Sequence, residues 1–504
     1  MPHLTASPHL AQRSRARPTG AGPRLVSRAL RALPPALAGL VILSAHAGGP
    51  EPLDYARALG LGRDSAGGVR SAELDRDARQ LQARALDGLG GPTVSATGFY
   101  GRVRTAINLD LTQVAQAVNP LVGVVDQVAP ALNVQPVPST FTTYRTVTMA
   151  SYGLSTVWPM YTGGRFTALQ RLADARAQEA VADVQEAQDR SASLTAQRYF
   201  SVQLARQALQ VRSAALSGIT EHRRMALRLE AAGLIAQVER LKADVALDSA
   251  RRDEARARND LALARVALAR HLGAGRDQPD AQAQWSPTTP LFVHREPVDT
   301  LEAFIAAGMV HHPAWVRLAA KRAQADQALA LEDHAHTPTL LGLGNYNANR
   351  SHDALVQPTW AVGVMLNIPL IDAVDRRRLA DAARLQQRRV EENALQAGRD
   401  IPTLIEAQWR AMDNARLQFL SMDSSVALAR ESLRLQEVAF RQSQATSVDV
   451  TDASLALAKV ETERVQAAYD YVMALARLLE ACGEPERLPQ LAAAADLTLT
   501  LPPP

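Results

Sequence analysis

The feature that most restricts the fold of this chain is that it writes one plan twice. GPTVSATGFYG from Gly91 returns as TPTLLGLGNYN from Thr337, pairing Pro92 with Pro338, Thr93 with Thr339, Gly98 with Gly344 and Tyr100 with Tyr346, all at a separation of 246 residues. A second register of 210 residues then pairs Gly153 with Gly363, Pro159 with Pro369, Tyr199 with Trp409, Val238 with Val448, Glu239 with Asp449 and Gly273 with Gly483. Coincident prolines and glycines at segment ends argue for tandem duplication over chance identity in Ala-rich sequence. The drop from 246 to 210 places 36 extra residues between Tyr100 and Gly153 in the first copy, where something loop-like has grown.

Each copy has the same order of elements. Residues 52–90 and 297–336 read as helix, announced by EPLD at Glu51 and EPVD at Glu296. Two extended segments follow, ending at Pro159 or Pro369. In GRVRTAINLDL from Gly101, Ile107, Leu109 and Leu111 alternate with Asn108 and Asp110, and in TWAVGVMLNIP from Thr359, Trp360, Val362, Val364 and Leu366 share a face. Period two with one apolar side suits a strand with lipid outside and water inside, and equally a sandwich strand. From Arg165 to Ala232, and from Arg376 to Arg441, the pattern is helical with Pro402 as the one breaker. A helix of that length runs roughly 100 Å. Short turns at Gly233 and Ser443 lead into return helices that stop at Gly273 and Gly483. The return helix is about half as long as the outgoing one, so the helix before the strands is expected to stack end to end with it.

The N-terminus bears on destination. Residues 1–47 hold six arginines and no carboxylate, followed by ALAGLVILSAHA, the pattern of a signal peptide cleaved near Ala47. Without it 49 basic face 51 acidic side chains, so the net charge of +4 says nothing of a nucleic-acid partner. Cys482 is the only cysteine, which excludes an internal disulfide and a Cys-based metal cluster.

Four strands per chain cannot close a barrel, and lipid forbids open strand edges. A trimer would supply twelve strands and twelve helical rods in cross-section.

The signal peptide, the repeated strand-strand-helix-turn-helix plan, the proline after the second strand, and the turns GLIAQVERLKA and FRQSQATSVDVTDASLALA resemble the TolC-like outer membrane efflux proteins. The resemblance implies a mixed α+β membrane protein: a trimeric twelve-stranded outer-membrane β-barrel, four strands per chain, continued by a long α-helical periplasmic barrel. It implies the channel of a tripartite efflux or type I secretion system in a Gram-negative outer membrane, working with a periplasmic adaptor and an inner-membrane transporter. By the same resemblance Gly233, Leu234, Ile235, Val238 and Glu239, with Thr446, Ser447, Val448, Asp449 and Val450, form adaptor-docking tips; the competing reading is that they only cap helices. The family's turns carry glycine at both tips, so Ser443 suggests a differently shaped second turn. A periplasmic coiled-coil adaptor without a pore is the rival class, disfavoured because two hairpins alternate with strand pairs.

The expected segments are a signal peptide (1–47), a first repeat (48–273) with a long extracellular loop at 113–140, a linker (274–295), a second repeat (296–483) and a tail (484–504). Trp158, Pro159 and Pro369 mark the barrel-to-helix junctions, Trp158 as an interfacial anchor and Pro159 where strand pairing ends. No cofactor, metal site or catalytic constellation is expected: His311, His312, Asp333, His334 and His336 read as surface polar residues.

Overall fold

The computed structural model describes residues 51–274, 285–348, 359–371 and 373–499. The signal peptide expected at 1–47 lies outside them.

In chain order, β1 (Glu51–Leu53) leads into α1 (Tyr55–Ser65) and α2 (Gly67–Ala85). Then come β2 (Thr93–Asp110), α3 (Thr112–Val128) and β3 (Thr140–Tyr161). The long helix α4 (Arg165–Ala231) turns into α5 (Gln237–His271). The short strands β4 (Trp285–Pro287) and β5 (Leu291–Val293) precede α6 (Leu301–His311) and α7 (Pro313–Asp333). The second half continues with β6 (Thr339–Asn347), β7 (Trp360–Asn367), α8 (Arg376–Arg441) and α9 (Ser447–Cys482). A short α10 (Leu488–Ala493) and β8 (Leu497–Leu499) follow.

Several expectations are refined. The helix expected over 52–90 is two helices that break at Ala66, and the one over 297–336 breaks at His312. Proline at N1 explains the second break, since Pro313 has no N–H to give the preceding turn, and the His312 side chain accepts the Ala314 N–H (3.1 Å). His312 is thus a half-buried helix cap, not a surface polar residue. Pro402 does not break α8, which continues through it.

The expected end-to-end stacking is present. The Ser65 hydroxyl, closing α1, donates to the carbonyl of His271, closing α5 (2.6 Å). In the second half Gly483, just past α9, lies against the carbonyl of His311, closing α6. Both glycines hold the left-handed backbone of a helix C-cap, Gly273 at φ 93° and Gly483 at φ 75°.

The core sits midway along the long helices. Tyr55, Tyr199, Phe200, Phe292 and Tyr471 are fully buried there, with ring centroids 5.1–6.4 Å apart. Here the expected linker and tail take on structure: β1 pairs with β4 in parallel, and β5 with β8 antiparallel. Polar side chains of α4 hold these ribbons. The Tyr199 hydroxyl donates to the Leu53 carbonyl (2.7 Å) and accepts the N–H groups of Thr288 (3.0 Å) and Thr289 (2.8 Å). Gln203 donates to the Thr289 carbonyl (2.7 Å) and Gln207 to that of Leu499 (3.0 Å).

Candidate functional site: the four-stranded sheet and the helical tips

The sheet has the order β2-β3-β6-β7, antiparallel throughout, which leaves β2 and β7 as free edges. Residues opposite one another in an antiparallel pair share a face, so the register sorts the side chains. One face carries Val94, Ala96, Tyr152, Leu154, Trp158, Leu340, Tyr346, Trp360, Val362, Val364 and Leu366. The other is mixed, carrying Thr93, Ser95, Thr97, Ser155, Asn345 and Asn367 together with Phe99, Val157, Leu341, Leu343 and Met365, and the Ser95 and Ser155 hydroxyls are hydrogen-bonded (2.7 Å). The first face is apolar yet exposed in the single chain; Val362 is 78% exposed. Its aromatic residues fall at two levels. Tyr152, Tyr346 and Trp360 lie at one end, and Trp158 at the other, where its indole N–H donates to the Gly90 carbonyl (3.1 Å). Tyr152 and Trp158 are six positions apart on β3, roughly 20 Å at strand rise.

Three expectations change here. Pro159 does not end β3: the strand runs to Tyr161, and a register slip between Pro159 and Tyr161 absorbs the missing N–H. Pro369 does follow the end of β7. The alternation in GRVRTAINLDL has the opposite sense to the one expected, because Ile107 and Leu109 continue the face of Thr97 and Phe99, not that of Val94. The segment 113–140 is not a plain loop, since α3 occupies most of it, and much of the extra length extends β2 and β3.

At the far end of the long helices are the two tips. Gly233 takes φ 72°, and the N–H of Leu234 reaches back to the Leu229 carbonyl (2.9 Å). Ser443 takes φ 61°, and the N–H of Gln444 reaches back to the Ala439 carbonyl (2.8 Å). The two turns therefore share one C-cap geometry, against the expectation that Ser443 would reshape the second. Serine adopts the left-handed conformation at a cost that glycine escapes.

The expected tip residues separate into two groups. Ser447 and Val450 are buried, and Ile235 and Glu239 are partly so. Val450 packs with Ala226, Ala243 and Phe440, and Ile235 joins this cluster. The Ser447 N–H donates to Glu239 (2.7 Å), which also accepts from Lys242 (2.8 Å). The Lys242 hydrogen bond holds the Glu239 carboxyl below its usual range. Thr446 and Asp449 form a reciprocal capping box at the start of α9, their backbone and side-chain bonds running 2.7 and 3.3 Å. Gly233, Leu234, Val238, Thr446, Val448 and Asp449 remain exposed, Leu234 at 59% and Val238 at 52%.

Sequence reasoning missed His222. Its Nε2 lies 3.0 Å from the Ser447 hydroxyl, and its ring packs on Phe440 with centroids 4.5 Å apart. Burial pushes its pKa down, with Glu239 opposing. It joins the first long helix to the start of the second return helix, a pairing that no local pattern announces.

No curated protein matches the chain. Solved outer-membrane channels share its fold. The Campylobacter jejuni CmeC outer membrane channel superposes with a TM-score of 0.68 at 14% identity, covering 86% of each chain. The outer-membrane channel OprN gives 0.67 at 16% identity, covering 85% of this chain and 90% of its own. The Neisseria gonorrhoeae MtrE outer membrane channel in its open state gives 0.59 at 16% identity, covering 86% of this chain and 89% of its own. Residues 64–274 match the family described as outer membrane efflux protein.

By this match residues 64–274 form an outer membrane efflux protein region. The solved proteins that share the fold are outer-membrane channels. Among the chain's described residues no helix is long and apolar enough to cross a membrane.

Proposed function

We propose that three copies of this chain close into one channel: a twelve-stranded barrel in the outer membrane, continued by a helical tunnel across the periplasm. The carrying observation is the sheet with two free edges and one apolar, aromatic-banded face. In hydrocarbon each unpaired backbone group costs several kcal/mol. Pairing β7 of one copy with β2 of the next removes every free edge without adding a strand. Aromatic side chains at two levels of the sheet suit the aromatic girdles that bound the apolar band of an outer-membrane barrel.

The two halves of the chain are read as a tandem duplication, so three copies give the tunnel a pseudo-sixfold wall. The exposed tip residues Gly233, Leu234, Val238, Thr446, Val448 and Asp449 dock a periplasmic adaptor, which joins the channel to an inner-membrane transporter. Apolar side chains held out on a rigid double turn suit a helical partner surface. Ser447, Val450, Ile235 and Glu239 support that surface from beneath. The chain acts as a conduit, and the transporter selects the cargo.

Native mass measurement of the detergent-solubilised protein tests the assembly. Three chains per particle are expected. A folded single chain, soluble without detergent, would overturn the channel reading.

A further inference from the structure

The helix α3 is unusual within the chain. It carries one charged residue, Asp126, in 17 residues, and of these only Ala115 is buried. Asn119 ties it to the returning segment, donating to the Val137 carbonyl (2.9 Å) and accepting its N–H (2.7 Å). Its other side carries Val114, Val118, Leu121, Val125 and Val128, all exposed, with Leu121 at 65% and Val128 at 80%. Their spacing alternates four and three residues, the seam of a coiled coil, with valine at both seam positions and Leu121 at the centre. Gln116, Pro120 and Gln127 lie opposite.

The hairpin beneath α3 decides where this seam can go. Among the described residues β3 pairs with β6 from Gly153 to Tyr161, whereas β2 and β3 stay paired out to Asp110 and Thr140. The extra length carries α3 roughly 30–40 Å beyond the level of Gly153. Past Tyr100 the face that was apolar turns polar: Arg102, Arg104, Asn108 and Asp110 stand opposite Thr148, Thr146, Thr142 and Thr140. The opposite face carries Ile107, Leu109 and Phe141 at its far end, with Thr143 opposite Ile107. A polar outer face does not belong in lipid, and apolar side chains on an inner face do not belong beside open water.

We propose that the α3 helices of three copies pack seam to seam on the threefold axis, inside a crown of three β2–β3 hairpins, and roof the outer mouth of the channel. This rests on the trimer reading given above. A twelve-stranded barrel has a radius of roughly 12 Å at ordinary strand spacing and tilt, within reach of a helix roughly 25 Å long tethered at the rim. Helices set along a threefold axis all run in the same sense, as the seam requires. The apolar far end of each hairpin's inner face then packs on the bundle.

Cysteine cross-linking of the full-length protein tests this, because the only native thiol, Cys482, is buried. Leu121→Cys treated with a short bismaleimide is expected to convert most chains to covalent dimers, and Gln116→Cys under a tenth of them. Leu121→Cys that stays uncross-linked in a particle of three chains by native mass overturns the roof and leaves the trimer standing. A particle of one chain overturns both. Strong quenching, by doxyl-labelled lipid in nanodiscs, of a bimane attached to the thiol of the Leu121→Cys variant places the seam in lipid and overturns the proposal. The double variant Val118→Asp with Leu121→Asp should raise single-channel conductance at least twofold, and an unchanged conductance counts against a roof.

Discussion

Gly62 of α1 sits directly on Thr195 of α4: a methyl group at the glycine would fall 2.3 Å from the threonine hydroxyl oxygen. In the second half Gly308 of α6 sits on Ile405 of α8, and a methyl there would fall 2.3 Å from the isoleucine Cδ1. Gly308 follows Gly62 by 246 residues and Ile405 follows Thr195 by 210, the two separations read from the repeat. Both contacts lie beside the joints where α1 meets the end of α5 and α6 the end of α9.

Gly62→Ala should therefore destabilise the protein despite alanine's better helix propensity. Overpacking costs about 1–3 kcal/mol against a gain of about 1 kcal/mol. Thr195 has little room to yield, since its hydroxyl donates to the Ser191 carbonyl and lies 2.8 Å from His271. Gly308→Ala should cost less, because the Ile405 end can rotate away. Thermal unfolding of the two variants in one detergent gives the ranking.

At the tips the prediction runs the other way. Ser443→Gly should stabilise the second turn by about 1 kcal/mol, relieving the left-handed serine. Gly233→Ala should weaken the first turn by a similar amount. Amide exchange in residues 228–236 and 438–446 reads each effect locally. Equal exchange in Ser443→Gly and the parent would contradict the shared geometry.

Docking is separable from capping. Asp449 closes the capping box, so reversing its charge would also cost the cap about 1 kcal/mol and confuse the two. Leu234→Asp and Val238→Asp touch only exposed positions. They are expected to lower efflux at least tenfold, measured as accumulation of the partner transporter's substrate in cells, with particle mass and outer-membrane insertion unchanged. Full efflux in both variants would remove the tips from the docking surface.

His222 gives the tip a pH dependence. Its folded pKa lies below the free value because burial disfavours the charged ring. A depressed histidine binds fewer protons folded than unfolded, so its contribution is complete above about pH 6.5 and falls away as pH drops below that. The groups around it are Ser447, Glu239, Glu221, Glu437 and Arg441. Tip amides, corrected for intrinsic rates, should exchange faster at pH 5.5 than at pH 7.5. His222→Gln should flatten that difference; a difference that persists points to the carboxylates instead.

What the sequence determined by itself were the long-period features. The bounds of α4, α8 and both return helices were legible to within a few residues, because helical spacing, C-cap glycines and the Thr446–Asp449 box are local signals. The doubled plan was legible because proline and glycine mark segment ends in both copies. The tertiary structure decided the rest, where the cause is non-local. The ribbons β1–β4 and β5–β8 are three residues per strand, too short to show a period, and exist because Tyr199, Gln203 and Gln207 hold them from a helix far away in sequence. The sense of the apolar face in β2 depends on which residues of β3 lie opposite, and it reverses near Tyr100 within one unbroken strand. Prolines at 120 and 130 disguised α3 as a loop, yet proline at 120 interrupts only one turn of a helix whose seam has no partner among the described residues.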